Sequence, residues 1–315
     1  MRIVVTGGAG FIGSHLVDAY LADGHEVVVI DSLWSHGGGR RENIPERASF
    51  VHMDIRDDAG VDRIFTEFKP EIVSHHAAQH SVAIGARDPK YDASVNVLGM
   101  LNVMESAAKA GTRKVIFASS AATYGDVHEM PVDETSPQRP VSPYGITKMV
   151  TEHYLRFYKS DRGLDFTALR YGNVYGPRQD PNGEAGVIAI FLGKFLQRQG
   201  VRIDWDGEQT RDYVYVGDVV RANVAALTKG SGEIFVIGTG KKTSVNEIYR
   251  AMVEVTGFEA PVTHAPRRPG DAREVYFNPA KAKIGLGWEA QVPLIDGMRA
   301  TYDYFREKER TAAAS

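Results

Sequence analysis

Cysteine is absent from the 315 residues. That excludes disulfides, thiolate zinc sites and cysteine nucleophiles together, and it is compatible with a reducing compartment. Neither sign of charge dominates: 37 Lys and Arg stand against 40 Asp and Glu, for a formal net charge of −3. A balance so near neutral supplies no overall basic field to attract nucleic acid. Long apolar runs are missing too. The longest uninterrupted aliphatic and aromatic stretch, Val187 to Leu192, is far below the roughly 18 residues of a membrane-spanning helix. Met1-Arg2-Ile3-Val4-Val5-Thr6 runs straight into glycines, without the longer apolar region of a secretion signal, so the mature chain is expected to start at the first strand. There is no internal repeat. The only low-complexity piece, Arg306 to Ser315, is expected to fray. What is present is 43% hydrophobic and 24% charged residues, ample for a core and without a signature of disorder.

The first half alternates strand-like and helix-like segments. Ile3–Thr6, Glu26–Ile30, Phe50–His52, Ile72–His75, Val115–Ser119 and Phe166–Tyr171 read as strands. Their Val/Ile runs are near-continuous rather than alternating, which indicates burial on both faces in a parallel sheet. Phe11 to Ala22 carries Ile12, Leu16, Ala19 and Tyr20 at helical spacing and stops at Asp23-Gly24, where glycine tolerates a left-handed cap. Longer helices are expected from about Tyr91 to Ala110 and from Pro143 to Lys159. This order predicts an α/β fold, a doubly wound parallel sheet of Rossmann type, in residues 1–171. From Gly172 to Gly186 glycine, proline, asparagine and aspartate crowd the chain, and shorter elements follow. Strands fit Val201–Trp205 and Tyr213–Val216, and helices fit near Val187–Gln197, Asp218–Thr228, Val245–Thr256 and Leu294–Phe305. Residues 172–315 are expected to form mainly a smaller substrate-binding lobe, with elements at about 212–240 returning to the first.

Between the first strand and the first helix lies Gly7-Gly8-Ala9-Gly10-Phe11-Ile12-Gly13. Gly7, Gly10 and Gly13 provide a tight turn, close backbone approach to a pyrophosphate, and close helix–sheet packing. The phosphates would sit on the helix N-terminus, where unbonded amides and the dipole favour negative charge. A plain glycine turn is the alternative, but the strand-to-helix context is the one a dinucleotide site requires. Asp31 ends the second strand. A carboxylate there accepts hydrogen bonds from adenosine ribose hydroxyls and repels a 2′-phosphate, which favours NAD over NADP. A turn or capping aspartate is the bland reading. Arg40 and Arg41 stand in the next loop, nine or more residues past the strand end. Asp54 and Ile55, after the third strand, are placed to contact an adenine, or form a simple turn.

Tyr144 and Lys148 open a helix after Ser142-Pro143 and, four apart, share one face. A free tyrosine titrates near pH 10 and is a poor base at neutrality. A neighbouring ammonium and an oxidised nicotinamide both favour the phenolate. The pair can then take a proton from an alcohol while hydride leaves the same carbon. The strand before it ends in Ala118-Ser119-Ser120-Ala121-Ala122-Thr123-Tyr124-Gly125. A hydroxyl at that edge lies where doubly wound sheets bind ligands, although most such hydroxyls bond their own backbone.

Several stretches in their order carry a resemblance: VTGGAGFIGSH at Val5–His15, HHAAQHSV at His75–Val82, the Asn96 helix and SPYGITK at Ser142–Lys148. LRYGNVYGPRQDPNGEAGV at Leu169–Val187, RDYVYVGDV at Arg211–Val219 and RRPGD at Arg267–Asp271 continue it. Over essentially its whole length the chain resembles the extended short-chain dehydrogenase/reductase family, and within it the bacterial UDP-glucose (UDP-galactose) 4-epimerases. The resemblance implies an isomerase that inverts C4 of a UDP-hexose by transient NAD-dependent oxidation to a 4-keto sugar and re-reduction on the opposite face. It makes Tyr144 the base, Lys148 its electrostatic partner and ribose ligand, and Ser120 the hydroxyl, with Ser119 as fallback. Phe11, Ile12, Asp31, Asp54, Ile55, Ala77, Ala78, Asn96, Ser119 and Tyr171 would line the NAD site. His80, Asn173, Val187, Arg211, Arg268 and Asp271 would hold the nucleotide sugar. A cytoplasmic homodimer, packed through the helices around Asn96 and Glu152, is implied as well, with no nucleic-acid or membrane partner.

Two positions depart from the family pattern. Ser119 to Tyr124 is a simple Ala-Ala-Thr stretch, and His80 replaces a lysine that some relatives carry near the pyrophosphate. His76 and His80 have a metal-like spacing but no evident third ligand, so no metal is expected. Val275 matches a pocket-wall position that governs acceptance of N-acetylated sugars. Three alternatives stay open: another nucleotide-sugar epimerase, acting on a UDP-N-acetylhexosamine or UDP-uronate; a dehydratase or decarboxylase; and a non-catalytic NAD-binding regulator. A dehydratase needs an acidic residue beside the active hydroxyl, where this chain has Ala121 and Ala122.

Overall fold

The Val/Ile runs of the first half become strands that water barely reaches. The structure, a computed structural model, describes residues 1–127, 129–181, 186–267 and 272–314. Strands β1 (Arg2–Thr6), β2 (Glu26–Asp31), β3 (Ser49–His52), β4 (Ile72–His75), β5 (Lys114–Ser120) and β6 (Asp165–Tyr171) alternate with helices α1 (Phe11–Ala22), α2 (Asp58–Phe68), α3 (Val82–Arg87), α4 (Pro89–Ala93), α5 (Met100–Lys109) and α6 (Pro143–Arg162). The second half adds β7 (Asn173–Tyr175), α7 (Val187–Leu196), β8 (Val201–Asp204), β9 (Thr210–Arg211), β10 (Tyr213–Tyr215), α8 (Val216–Ala226) and β11 (Glu233–Ile237). It closes with β12 (Thr243–Ser244), α9 (Val245–Thr256), β13 (Val262–Ala265), α10 (Ala280–Leu286) and α11 (Leu294–Ala314).

Seven parallel strands form the central sheet in the order β11-β6-β5-β4-β1-β2-β3. The winding direction reverses between β1 and β4, and doubly wound sheets bind ligands in the crevice at that reversal. One face is covered by Leu16, Val17 and Tyr20 of α1 with Val219, Ala222 and Ala226 of α8. The other is covered by Val61 and Phe65 of α2, Val103 and Met104 of α5, and Leu155 and Tyr158 of α6. Each fully buried Leu, Val, Phe or Met among them contributes about 1.5–3 kcal/mol. A separate core joins Ile188, Phe191, Leu192 and Phe195 of α7 to Ile248 and Met252 of α9 and Met298 of α11. The chain from α8 to β11 returns to the sheet: Phe235 of β11 pairs with Leu169 of β6.

Two elements differ from the sequence expectation. The helix expected from Tyr91 to Ala110 is α4, a π-helical turn Ser94–Gly99, and α5, with helical backbone angles across both junctions. The wider turn sits where Asn96 faces inward to bond Gln79 and where Gly99 lets Ile55 close on the backbone: a Cβ on Gly99 would lie 2.8 Å from Ile55. The tail from Arg306, expected to fray, continues α11 to Ala314. Its Glu, Lys, Arg and Ala are good helix formers, and the Lys308 ammonium is 2.7 Å from the Glu42 carboxylate. Among the described residues no helix is long and apolar enough to cross a membrane.

Candidate active site

The glycine loop works through what glycine lacks. Gly7 has φ +71°, and a Cβ there would lie 2.6 Å from the Ala77 nitrogen. Its amide donates to the Ile30 carbonyl at 2.8 Å, while the Gly10 amide donates to the Gly7 carbonyl at 3.1 Å. Gly10 caps α1 without any side-chain hydrogen bond, and the first turn has no acidic residue. The helix therefore offers its first amides and the positive end of its dipole to the cleft lined by Gly7, Gly10, Phe11, Ile12 and Gly13. This is a cradle for an anion.

The cleft holds about 300 Å³. Asp31 lies along it, nearly buried, its two carboxylate oxygens accepting from the amides of Ala9 at 2.9 Å and Leu33 at 2.8 Å. Burial raises its pKa, and those two hydrogen bonds oppose the rise. Arg40 pairs with Asp180 at 3.7 Å and Arg41 lies over the Phe50 ring at 5.0 Å, so neither accompanies Asp31 in the cleft lining. Asp54 and Ile55 also line it. The Asp54 carboxylate is held by Arg56 at 2.7 Å, which keeps its pKa below the usual carboxylate value. Two aromatic residues that sequence reasoning missed border the same space, Trp34 and Tyr91, with ring centroids 5.6 Å apart. Their separation in sequence concealed the pairing.

Beyond the glycine loop, the end of β5 meets the start of α6. Ser142 caps that helix, its Oγ accepting from the Gly145 amide at 3.1 Å, with Pro143 in the first turn. The helix then presents Tyr144 and Lys148 to the cleft, beside Ala118 and Ser119. Ser120, whose Oγ accepts from the Ala122 amide at 3.1 Å, lies near enough to the Tyr144 phenol to lower its pKa. Ser119 points the other way and donates to Glu152 at 2.6 Å. The buried Lys148 ammonium donates to the Ala118 carbonyl at 2.8 Å and lies 4.7 Å from the Phe117 ring centre and 5.6 Å from that of Tyr144.

Burial pushes the Tyr144 phenol up to about 12; Ser120 pulls down and the Asp92 charge pushes up. The expected lowering is thus not reached by the protein's own groups, because desolvation outweighs them. Burial likewise pulls Lys148 down to about 8, against the charges of Asp92 and Glu152. Below the site, Arg170 clamps Glu152 at 2.9 and 2.6 Å and donates to the Tyr124 hydroxyl at 2.7 Å. His76 bonds Tyr171 at 3.0 Å, and burial followed by the Lys148 charge holds its pKa near 3, so the ring is neutral. Among the described residues no three His, Asp or Glu side chains converge as metal ligands.

Ala77, Ala78, His80 and Tyr171 border the cleft. Asn96 does not: its amide accepts from the Gln79 nitrogen at 2.8 Å and donates to the Gln79 carbonyl at 2.9 Å, so it shapes the loop behind the cleft. Asn173 opens β7 on the exposed side, and Val187 opens α7, whose N-terminus has no side-chain cap. Arg211 donates to the carbonyls of Thr210 and Ala272 at 2.8 and 2.9 Å. Asp212 beside it is wholly buried and accepts from Thr239 and Gly240, which rules out a surface ion pair between these neighbours. Val275 packs against a small apolar cluster of Tyr124, Val132, Val236 and Phe277. Arg268 and Asp271 lie outside the described residues.

The chain is similar to known proteins. The chain is 44% identical over 311 residues to a putative UDP-glucose 4-epimerase of Methanocaldococcus jannaschii, covering 98% of this chain and 100% of the relative. It superposes on the crystal structure of the Thermotoga maritima UDP-glucose 4-epimerase with UDP-glucose at a TM-score of 0.95, with 48% identity over 98% of this chain and 100% of that one. The Thermus thermophilus UDP-glucose 4-epimerase in complex with NAD gives 0.91 and 46% identity, covering 97% and 99%. The sequence pattern of one family matches residues 3–238, the stretch that holds the glycine loop, the Tyr144–Lys148 helix and the returning strand β11. The chain belongs to the NAD dependent epimerase/dehydratase family.

Proposed function

We propose that the protein is an NAD-dependent UDP-hexose 4-epimerase that interconverts UDP-glucose and UDP-galactose. The observation that carries this reading is that Tyr144 and Lys148, with Ser120 near the phenol, border the same cleft as an anion cradle. NAD fits the chain: a Cβ would fill the cradle at Gly7, the α1 amides suit a pyrophosphate, and Asp31 suits a ribose diol. When bound, NAD would supply reversible hydride transfer at the sugar C4, with no net redox.

The chain's own residues handle the proton and the orientation. Tyr144 takes the proton of the sugar 4-hydroxyl, and Ser120 donates a hydrogen bond at the same oxygen. Lys148 stabilises the phenolate against the desolvation that otherwise holds the phenol near 12. Tyr144 then returns the proton once the 4-keto sugar has turned. Asn173, Val187 and Arg211, with Arg268 and Asp271, anchor the UDP half within the lobe 172–315, so the hexose is free to present either face. No carboxylate follows Ser120, where Ala121 and Ala122 stand, so the second proton transfer of a dehydratase has no local acid.

Homodimer formation is part of this reading. Leu98, Ile146, Tyr154 and Phe157 are exposed apolar residues on the π turn and α6, while Asn96 and Glu152 turn inward. The absence of cysteine is compatible with work in the reducing cytoplasm.

The test uses purified protein and UDP-galactose without added cofactor. UDP-glucose should appear, and NAD should leave only on denaturation. Tyr144→Phe should retain NAD and lose about 10²–10⁴-fold in turnover; full activity in that variant overturns the mechanism.

A further inference from the structure

Trp205, one residue past the end of β8, has φ +64°. A side chain in that left-handed region is strained, and such strain persists where the surroundings over-determine it, often at functional sites. Here the backbone is held on both sides. The Trp205 amide donates to the Ala265 carbonyl at 2.7 Å, and the Trp205 carbonyl lies 3.0 Å from His264 Nδ1. That clamp sets the indole beside two cations: the guanidinium carbons of Arg267 and Arg273 each lie 4.6 Å from its ring centre. Of the aromatic rings, indole attracts a guanidinium most strongly.

Arg273 begins a connected path towards the nucleotide side. Its guanidinium also holds Asp206 through two contacts of 2.8 Å. Its carbonyl accepts from the Thr210 amide at 3.0 Å, and the Thr210 carbonyl accepts from the Val275 amide at 3.1 Å, so residues 273–275 lie against β9. Arg211 Nη1 donates to the neighbouring Ala272 carbonyl at 2.9 Å and to the Thr210 carbonyl at 2.8 Å. The Arg211 side chain, assigned above to the UDP half, is therefore aimed by the backbone that Arg273 carries. We infer that Trp205 is a positioning residue for the nucleotide: its ring fixes Arg273 and, through residues 272–275, the Arg211 guanidinium. This rests on the epimerase reading for the identity of the ligand, though not for the packing itself.

Trp205→Gly removes the ring and relieves the backbone. Its first readout needs no ligand: amide hydrogen exchange at Thr210 and Val275, whose bonds join β9 to the segment. Both amides should exchange about tenfold faster, and UDP should bind about tenfold more weakly by calorimetry, the loss expected for two such contacts. KM for UDP-galactose should rise more than kcat falls. The urea midpoint should stay close to that of the parent, because glycine is at ease at this φ. Trp205→Phe keeps an aromatic face and should restore most of the UDP affinity. A tryptophan serving stability alone would lower the urea midpoint and leave UDP binding unchanged, which overturns the inference. Unchanged exchange at Thr210 and Val275 overturns it too. Should Trp205→Gly not fold, Arg273→Gln breaks the same contact from the half-exposed side, and parent-like UDP binding in that variant overturns the inference as well. If the parent chain binds no UDP, the epimerase reading fails while exchange at Thr210 and Val275 still decides this one.

Discussion

Glu152 and Arg170 form a two-pronged ion pair, 2.9 and 2.6 Å, with neither side chain more than 4% exposed. It lies under the end of β5, since Glu152 also takes the Ser119 hydroxyl at 2.6 Å and the Gln138 amide at 3.0 Å. Removing one partner leaves the other charge buried and unmatched. Glu152→Ala should therefore cost about 3–5 kcal/mol in urea unfolding. Glu152→Gln with Arg170→Met should cost much less. Equal losses in the two would show that packing, not charge, governs this spot.

Gly7 carries a second prediction. At φ +71°, against the Ala77 backbone, Gly7→Ala should destabilise the chain by at least about 1–2 kcal/mol and abolish NAD binding in a fluorescence titration. Gly111 has the same φ with open space around it. Gly111→Ala should show the strain alone and bind NAD normally. NAD binding retained in Gly7→Ala would remove the cradle from the argument.

Acid stability follows from His75 and His76. Burial depresses both to about 3 in the folded chain, against about 6.5 unfolded. Between those values the unfolded chain binds protons that the folded chain refuses. The stabilising contribution is complete above about pH 6.5 and is lost as pH falls towards 3, by about 1 kcal/mol per pH unit for each ring. Urea midpoints measured from pH 7 to pH 4 should show this slope, and His76→Gln should flatten it. An identical slope in that variant would exclude His76 as a source.

Trp34 and Tyr91 face one another at the cleft, and the Arg56 guanidinium lies 5.3 Å from the Tyr91 ring centre. An aromatic pair contributes about 0.5–1.5 kcal/mol beyond burial, which is up to about tenfold in a rate or affinity. Trp34→Ala should release NAD up to about tenfold faster during gel filtration, with the fold intact by circular dichroism. Unaltered retention would leave this pair without a part in holding the cofactor.

Much of this was legible in the linear chain because the signals are local. Val27 to Ile30 and Ile72 to Val73 announce strands buried on both faces by composition alone. The glycines between β1 and α1 announce backbone approach, and Tyr144 with Lys148 shares a face through helical period. The π turn at Ser94–Gly99 was not legible, since the residues it meets, Gln79 and Ile55, are distant in sequence. Nor was the helix through Arg306–Ala314, where composition looked like a tail and Glu42 supplies the partner.

The sequence by itself determined the α/β class, the dinucleotide loop and the phenol–ammonium pair, because each depends on residues within a few positions of one another. Only the tertiary structure decided that Ser119 turns to Glu152 and that Asn96 and Asp212 turn inward. It also showed that Asp92 lies buried against Gln79 and Thr147. Such outcomes depend on desolvation and on hydrogen bonds between segments far apart in the chain, and no local pattern encodes them.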